Sequence, residues 1–394
     1  MVPSTGTARP EALTARNAVF ATFFINGFAL ATWASRIPEV RHSLGLSAAQ
    51  LGLLLLAASV GSLLSLPTSG SAVQRFGARR VVMVAAGVEG VGLLLLATGA
   101  GVVETVPVTA AGLLLVGLGN GTWDVSMNVE GAEVERRLNR SVMPRFHASF
   151  SLGTVAGALV GALVSYLGVP VGWHIGVVAV LVACLGALSV QGFLPTLSAE
   201  HAPARGSARS AWREPRTLAV GVMVLAMALT EGVANDWIAV AMVDGYDAEP
   251  WLGAAAFALF VASMTVGRVI GTLLLDAFGR LAVLWGSMGV AAVGVLLVVL
   301  GQVPVLVAAG VVMWGLGASL GFPVGMSAAA DDPARAAARV SVVATIGYTA
   351  FLGGPPLLGF LGSHFGVLQA LLVVSVILVP SALAVPAARK PRPE

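Results

Sequence analysis

The sequence predicts an all-α polytopic membrane protein, with 12 transmembrane helices in two pseudo-symmetric six-helix bundles. Three observations carry that prediction. Apolar residues make up 57% of the 394-residue chain and charged residues 10%, with a mean hydropathy of +0.91, whereas globular domains carry about 25% charged residues. Apolar windows long enough to cross ~30 Å of hydrocarbon recur along the whole chain. Most of the 48 glycines and 9 of the 20 prolines fall inside those windows, where membrane helices tolerate them better than soluble helices do.

In chain order the windows fall at 13–34, 48–69, 80–100, 106–128, 144–166, 171–193, 217–243, 252–275, 280–300, 303–327, 339–361 and 366–386. Met1 to Ala12 is polar, with Pro3 and Pro10, and no cleavage site follows the first window. That window therefore reads as a retained span and not as a signal peptide. The connections AVQRFGARR, GVVETVP, ERRLNRSVMPR, LGVP and DGYDAEP separate successive windows. The fifth window carries Ser149, Gly153, Gly157 and Gly161 at four-residue spacing, a small-residue face suited to close helix packing or to sliding of one helix on another. The sixth contains Cys184, the one cysteine, which excludes an intrachain disulfide and a cysteine-based metal site. The eleventh contains GGPPLLG from Gly353 to Gly359; consecutive prolines remove backbone donors and predict a bend or a broken segment.

Basic residues set the orientation. Of the 22 arginines and lysines, 19 fall on one alternating side of the windows, Arg36 and Arg41 on the other, and Arg268 inside a window. By the positive-inside rule both termini face the cytoplasm. The same placement is topological and gives no continuous basic patch, so the net charge of +3 and pI of 9.6 do not indicate nucleic acid. The boundaries read as an N-terminal six-helix bundle at 1–193, a cytoplasmic linker at 194–216 rich in Pro, Ser, Ala and Arg, and a C-terminal bundle with a short tail at 217–394. The linker's arginines suit contact with anionic lipid heads. A weak internal repeat supports two related halves. FFINGFALATW compares with ALTEGVANDW, setting Asn26 opposite Glu231, and QRFGAR compares with LDAFGR, setting Gly77 opposite Gly279.

Gly70-x-x-x-Gln74-Arg75-Phe76-Gly77-Ala78-Arg79-Arg80 resembles the signature between the second and third helices of the major facilitator superfamily, with Gln74 in place of the usual aspartate. Gly267-Arg268-x-x-Gly271-x-x-x-x-Asp276-x-x-Gly279-Arg280 looks like its second-half counterpart. The stretch Met127–Gly161, together with EGVANDW from Glu231 to Trp237, is similar to a bacterial branch of poorly characterised transporters distantly related to fucose permease-like sugar–proton symporters. The resemblance implies the major facilitator fold and proton-coupled secondary transport in a bacterial inner membrane. The sugar relatives carry acidic residues in the first and fourth helices, where this chain has Asn26 and then Asp124 and Glu130. Neither fucose specificity nor the same coupling is therefore carried over. Arg75, Arg79 and Arg80 suit lipid phosphates or helix C-termini, and Gly77 a tight turn; a state-dependent latch and a purely topological role both fit.

Ionisable residues inside spans are costly and mark function or buried pairing. Asn120, Asp124 and Asn128 recur at i,i+4 and share a face, beside Trp123 and Met127. Asp124 fits a proton carrier, a solute ligand, or a buried partner of Arg36 or Arg268. Glu130, near Glu133, Glu135, Arg136 and Arg137, fits a gate ion pair. Glu231 and Asn235 form another i,i+4 pair, followed by Asp236 and Trp237; Glu231 fits a cavity residue or helix packing, and its match to Asn26 makes it the best candidate for the central site. His147 fits a proton relay or a structural hydrogen bond, and Glu89 a proton site or a cross-helix pair. No cofactor and no metal site are expected, and the chain lacks the GxxxxGK[ST] loop of an ATPase. The expected partners are a small polar or amphipathic organic solute, protons and membrane lipids, with the monomer as the functional unit. Trp33, Trp123, Trp237 and Met127 keep multidrug or lipid-like efflux open, and a non-transporting receptor or structural protein is the third reading.

Overall fold

The computed structural model describes residues 8–140, 142–194, 208–332 and 335–390. The described chain is helical, without strands, and its long helices follow the apolar windows. They are α1 (Ala8–Ala34), the short α2 (Ile37–Ser43), α3 (Ala48–Phe76), α4 (Ala78–Gly101), α5 (Val106–Leu138), α6 (Met143–Tyr166) and α7 (Val171–Ser189). After α8 (Ala208–Ala211) come α9 (Pro215–Tyr246), α10 (Pro250–Leu300), α11 (Pro304–Ala318), α12 (Gly321–Ala329), α13 (Ala336–Phe365), α14 (Val367–Ala370) and α15 (Leu372–Ala382). Proline opens α9, α10 and α11, where its missing N–H would have been unpaired in any case. Residues 195–207, most of the expected linker, lie outside the described residues.

Two glycines divide long helical runs at related places. Gly77 separates α3 from α4 with φ 81° and ψ 150°. Gly279 has φ 75° and ψ 165° inside α10, which is thus two helices joined end to end and supplies two spans. With α11 and α12 as the tenth and α14 with α15 as the twelfth, the helices account for twelve crossings. Both glycines occupy backbone that residues with a Cβ essentially never adopt. Gly77→Val should therefore cost about 1–3 kcal/mol, read as a lower melting temperature in detergent. A Gly77→Val protein melting with the parent would show that the turn is not held in this conformation.

The chain divides into two compact units: Met1–Leu46, Leu53–Glu200 and Pro250–Ala255 in the first, Ser47–Gly52, His201–Glu249 and Ala256–Glu394 in the second. In the first unit, α4 packs on α5 and α7, and α1 on α6. The small-residue face of α6 lies directly on the α1 backbone. Ser149 Oγ donates to the Phe20 carbonyl at 3.0 Å, and a Cβ on Gly153 or Gly157 would strike the carbonyl of Phe24 or Phe28.

In the second unit α9 packs on α13. Both expected prolines of the eleventh span, Pro355 and Pro356, lie inside α13, which runs unbroken from Ala336 to Phe365. The broken span is instead the tenth, where α11 ends at Ala318 and α12 starts at Gly321. Pro323 explains the position. It has no N–H to give the carbonyl four residues earlier, that of Ser319, so the helix is interrupted there.

One end of the second unit is tied together by a shared carboxylate. Asp331 accepts from Arg280 at 2.9 and 3.0 Å and from Arg216 at 2.8 Å. The same arginines donate to the carbonyls of Ala387, Ala388 and Arg389, fixing the terminal turn at Val385–Ala388. Burial acts to raise the Asp331 pKa, but Arg280 and Arg216 outweigh it and hold it below the ordinary value. A depressed folded-state pKa gives stability that is complete above the unfolded value of about 3.9 and is lost as pH falls through the folded value. Asp331→Asn should thus cost ~2 kcal/mol at neutral pH, and its melting deficit should shrink as the pH is taken below about 4. An equal deficit at pH 7 and pH 3 would contradict that linkage.

Candidate functional site

The second unit holds an ion pair in the interior of its spans. Arg268 on α10 donates one nitrogen to both carboxylate oxygens of Glu231 on α9, at 3.0 and 3.2 Å. The side chains remain 32% and 20% exposed, respectively. Charged groups at this depth face a wet cavity or partner one another, and these two partner one another. It sits beside the interruption of the tenth span. Gly267, next to Arg268, packs so closely on Ser319 that a Cβ would collide with its side chain; Gly271 meets Leu320 in the same way, and Gly321 meets Met227, one turn before Glu231. Trp314 Nε1 donates to the Thr230 carbonyl at 3.1 Å, fastening α11 to the residue preceding Glu231. Helices broken at mid-membrane expose backbone groups and commonly form solute sites in transporters.

Asn235 and Asp236 follow on α9, both partly exposed, and Trp237 is fully buried with its indole N–H unpartnered. Asp276 lies on an exposed part of α10, and Arg280 belongs to the Asp331 network.

The first unit gathers polar groups with no partner within the protein. Asn26 on α1 is fully buried and neither side-chain atom is hydrogen-bonded. On α5, Asn120 Nδ2 and Trp123 Nε1 are likewise buried and unpartnered. The Trp123 ring reaches Gly186 on α7, where Ala86 of α4 also packs. One turn further along α4, Glu89 is 1% exposed, has both oxygens unpartnered, and stands against Gly119, the residue before Asn120. Thr22 Oγ1 and Ser189 Oγ, 2.9 Å apart, join α1 to α7 about one turn from Asn26 and from Gly186. These links place Asn26, Trp123, Asn120 and Glu89 at neighbouring levels of one helix cluster. Asn128 Nδ2 donates to the Asp124 carbonyl at 2.8 Å and to its carboxylate at 3.3 Å.

Several expected pairings are corrected. Neither arginine is the partner of Asp124: Arg268 takes Glu231, while Arg36 is 3.0 Å from Glu39 and donates to the Val169 carbonyl at 2.8 Å. Glu130 is not in an ion pair. It accepts from the Leu194 backbone N–H at 2.6 Å, because the chain turns over α5 after Val190–Gly192 and leaves that N–H in need of an acceptor. Arg136 and Arg137 pair with Glu133, and Glu135 accepts from the N–H groups of Val142 and Met143. Of the signature arginines, Arg79 donates to Gln191 and Arg75 lies over the Phe76 ring, while Arg80 is exposed, as is Gln74. His147 meets Phe23 edge-on at 5.2 Å, and Trp33 is buried in α1.

Sequence reading missed two features, the Glu231–Arg268 pairing and the break beside it. The dense glycines and Pro323 of WGLGASLGFPVG were the available signal for the break.

Twelve crossings, two helical units and paired charges inside the spans define a multi-pass α-helical membrane transporter. The sequence pattern of the Major Facilitator Superfamily matches residues 19–331, and the chain belongs to that superfamily. It is 34% identical over 351 residues to an uncharacterized transporter of Sinorhizobium fredii, covering 89% of this chain and 91% of the relative. An uncharacterized MFS-type transporter of Yersinia pestis is 30% identical over 361 residues, covering 91% of each. Among solved structures, a mutant of the nucleoside transporter NupG superposes with a TM-score of 0.79 at 15% identity, covering 96% of this chain and all of that one. The human organic anion transporter MFSD10 gives 0.67 at 17% identity, covering 95% of this chain and 99% of that one. At those identities the likeness is one of fold.

Proposed function

We propose that the protein carries a small polar or amphipathic organic solute across a bacterial inner membrane by alternating access, with proton coupling. The observation that carries this reading is the partly exposed Glu231–Arg268 pair at the break of the tenth span. A helix-packing pair has no need of accessible surface, whereas a solute site does. The unpartnered Asn26, Asn120 and Trp123 supply hydrogen-bonding groups in the other unit, and Asp124, Glu89, Asp236 and Glu231 are the carboxylates available to exchange a proton. The two units act as the six-helix bundles at 1–193 and 217–394, joined by the linker at 194–216. Both termini are cytoplasmic, and the signature around Gln74, Arg75, Gly77, Arg79, Arg80, Asp276 and Arg280 acts at the gate with lipid head groups. His147, Arg36 and Glu130 are further relay or gate residues, and the monomer is the working unit.

The structural neighbours' names and the sequence resemblance point to different solutes. Nucleosides, as for NupG, and sugars, as in fucose permease-like symporters, fit a polar hydrogen-bonding site. Broad efflux is a second reading, supported by the buried indoles of Trp123 and Trp237, whose N–H groups have no partner. A thermal-shift screen of sugars, nucleosides, vitamins, carboxylates and drugs, followed by counterflow of any hit in sealed proteoliposomes, tests transport against a receptor role. Binding without counterflow would replace the transport reading.

A further inference from the structure

Charge is unevenly distributed inside the spans. Among the described residues, Arg268 is the one arginine or lysine placed at the middle of an apolar span. Glu89, Asp124, Glu231 and Asp236 are the carboxylates at comparable positions. The single cation is committed to Glu231, which meets it with both oxygens. A solute approaching the pair therefore encounters an arginine already neutralised by Glu231. An anionic head group that reaches Arg268 stands beside the Glu231 carboxylate, and two anions sharing one cation leave an uncompensated negative charge at mid-membrane, which is costly. An uncharged hydrogen-bonding head or a cationic one carries no such cost.

We propose that the Glu231–Arg268 pair sets the charge selectivity of the site, so that it accepts uncharged or cationic polar solutes and rejects organic anions, with Glu231 as the residue that withholds Arg268 from an anion. The proposal rests on the reading that the pair faces solute, and it identifies the substrate class. It also separates the two named structural neighbours, placing the chain with a carrier of uncharged nucleosides and apart from a carrier of organic anions.

The test uses the purified full chain and three probes: uridine (uncharged), choline (cationic) and p-aminohippurate (anionic). Binding is read by thermal shift and by quenching of tryptophan fluorescence. In the parent, p-aminohippurate should be the weakest of the three. In Glu231→Gln, where Arg268 has lost its counter-charge, p-aminohippurate should bind at least tenfold more tightly than to the parent, and the Glu231→Gln/Arg268→Gln double variant should lose that gain. If Glu231→Gln does not fold, Glu231→Asp, whose shorter arm loosens the pair, should show a smaller gain in the same direction. A parent that binds p-aminohippurate best, or charge variants that gain no affinity for it, would overturn the proposal. Counterflow by the parent is scored separately, so a transporter with the opposite charge preference is distinguishable from a protein that does not transport.

Discussion

Glu231→Gln and Arg268→Gln should each destabilise the protein more than the double substitution does. Each single change strands one charge within the spans, where an uncompensated ion costs ~2.5–3.5 kcal/mol on insertion scales. Partial exposure of the pair softens that cost, so we expect single-variant losses of about 2 kcal/mol and a coupling energy of similar size. The double variant, with two neutral amides, should recover much of the stability. It should not recover transport, because the charged groups that hold solute beside the break are gone. Melting curves followed through the eight tryptophans, measured beside uptake for all four proteins, check both halves of the expectation. Additive losses would mean that the two residues act independently.

Asn26→Leu should have the opposite effect on stability. A buried amide without a partner costs ~1–3 kcal/mol, and leucine is nearly isosteric and has nothing to satisfy. The variant should therefore melt higher than the parent by about that free energy, while its solute affinity falls by at least tenfold. Functional sites commonly hold polar groups at the expense of stability, and removing them separates the two properties. A variant that melts lower and still binds normally would assign Asn26 to packing. The same logic extends to Trp123, whose indole N–H is also unpartnered, although its ring fills the space between α5 and Gly186 and no apolar residue of equal volume replaces it.

The fold was legible because its signals are local. Apolar runs and two glycines at related positions each act within a few residues, and Gly77 and Gly279 indeed share a backbone conformation that a Cβ forbids. Charge partners were not legible. Arg268 could have met Asp124 or Glu231, and only the tertiary fold, which brings Glu231 within 3.0 Å of it, decides between acids on different helices. Glu130 shows the same limit, since the group it satisfies is a backbone N–H 64 residues away whose position depends on the turn at Val190–Gly192. The tandem prolines at Pro355 and Pro356 were the louder signal for a broken helix, yet α13 absorbs them, whereas the single Pro323 in a glycine-rich run interrupts the tenth span. Glycines flank both proline sites, so neither residue type by itself decides whether the helix breaks.

The most direct test of the account is counterflow of a solute identified by the thermal-shift screen, run side by side with the parent and Glu231→Gln in sealed proteoliposomes of equal protein content. The account predicts a transient overshoot of labelled solute with the parent and little or none with the variant, in protein that elutes as a single folded species. An undiminished overshoot with Glu231→Gln would contradict the assignment of the solute site to the Glu231–Arg268 pair.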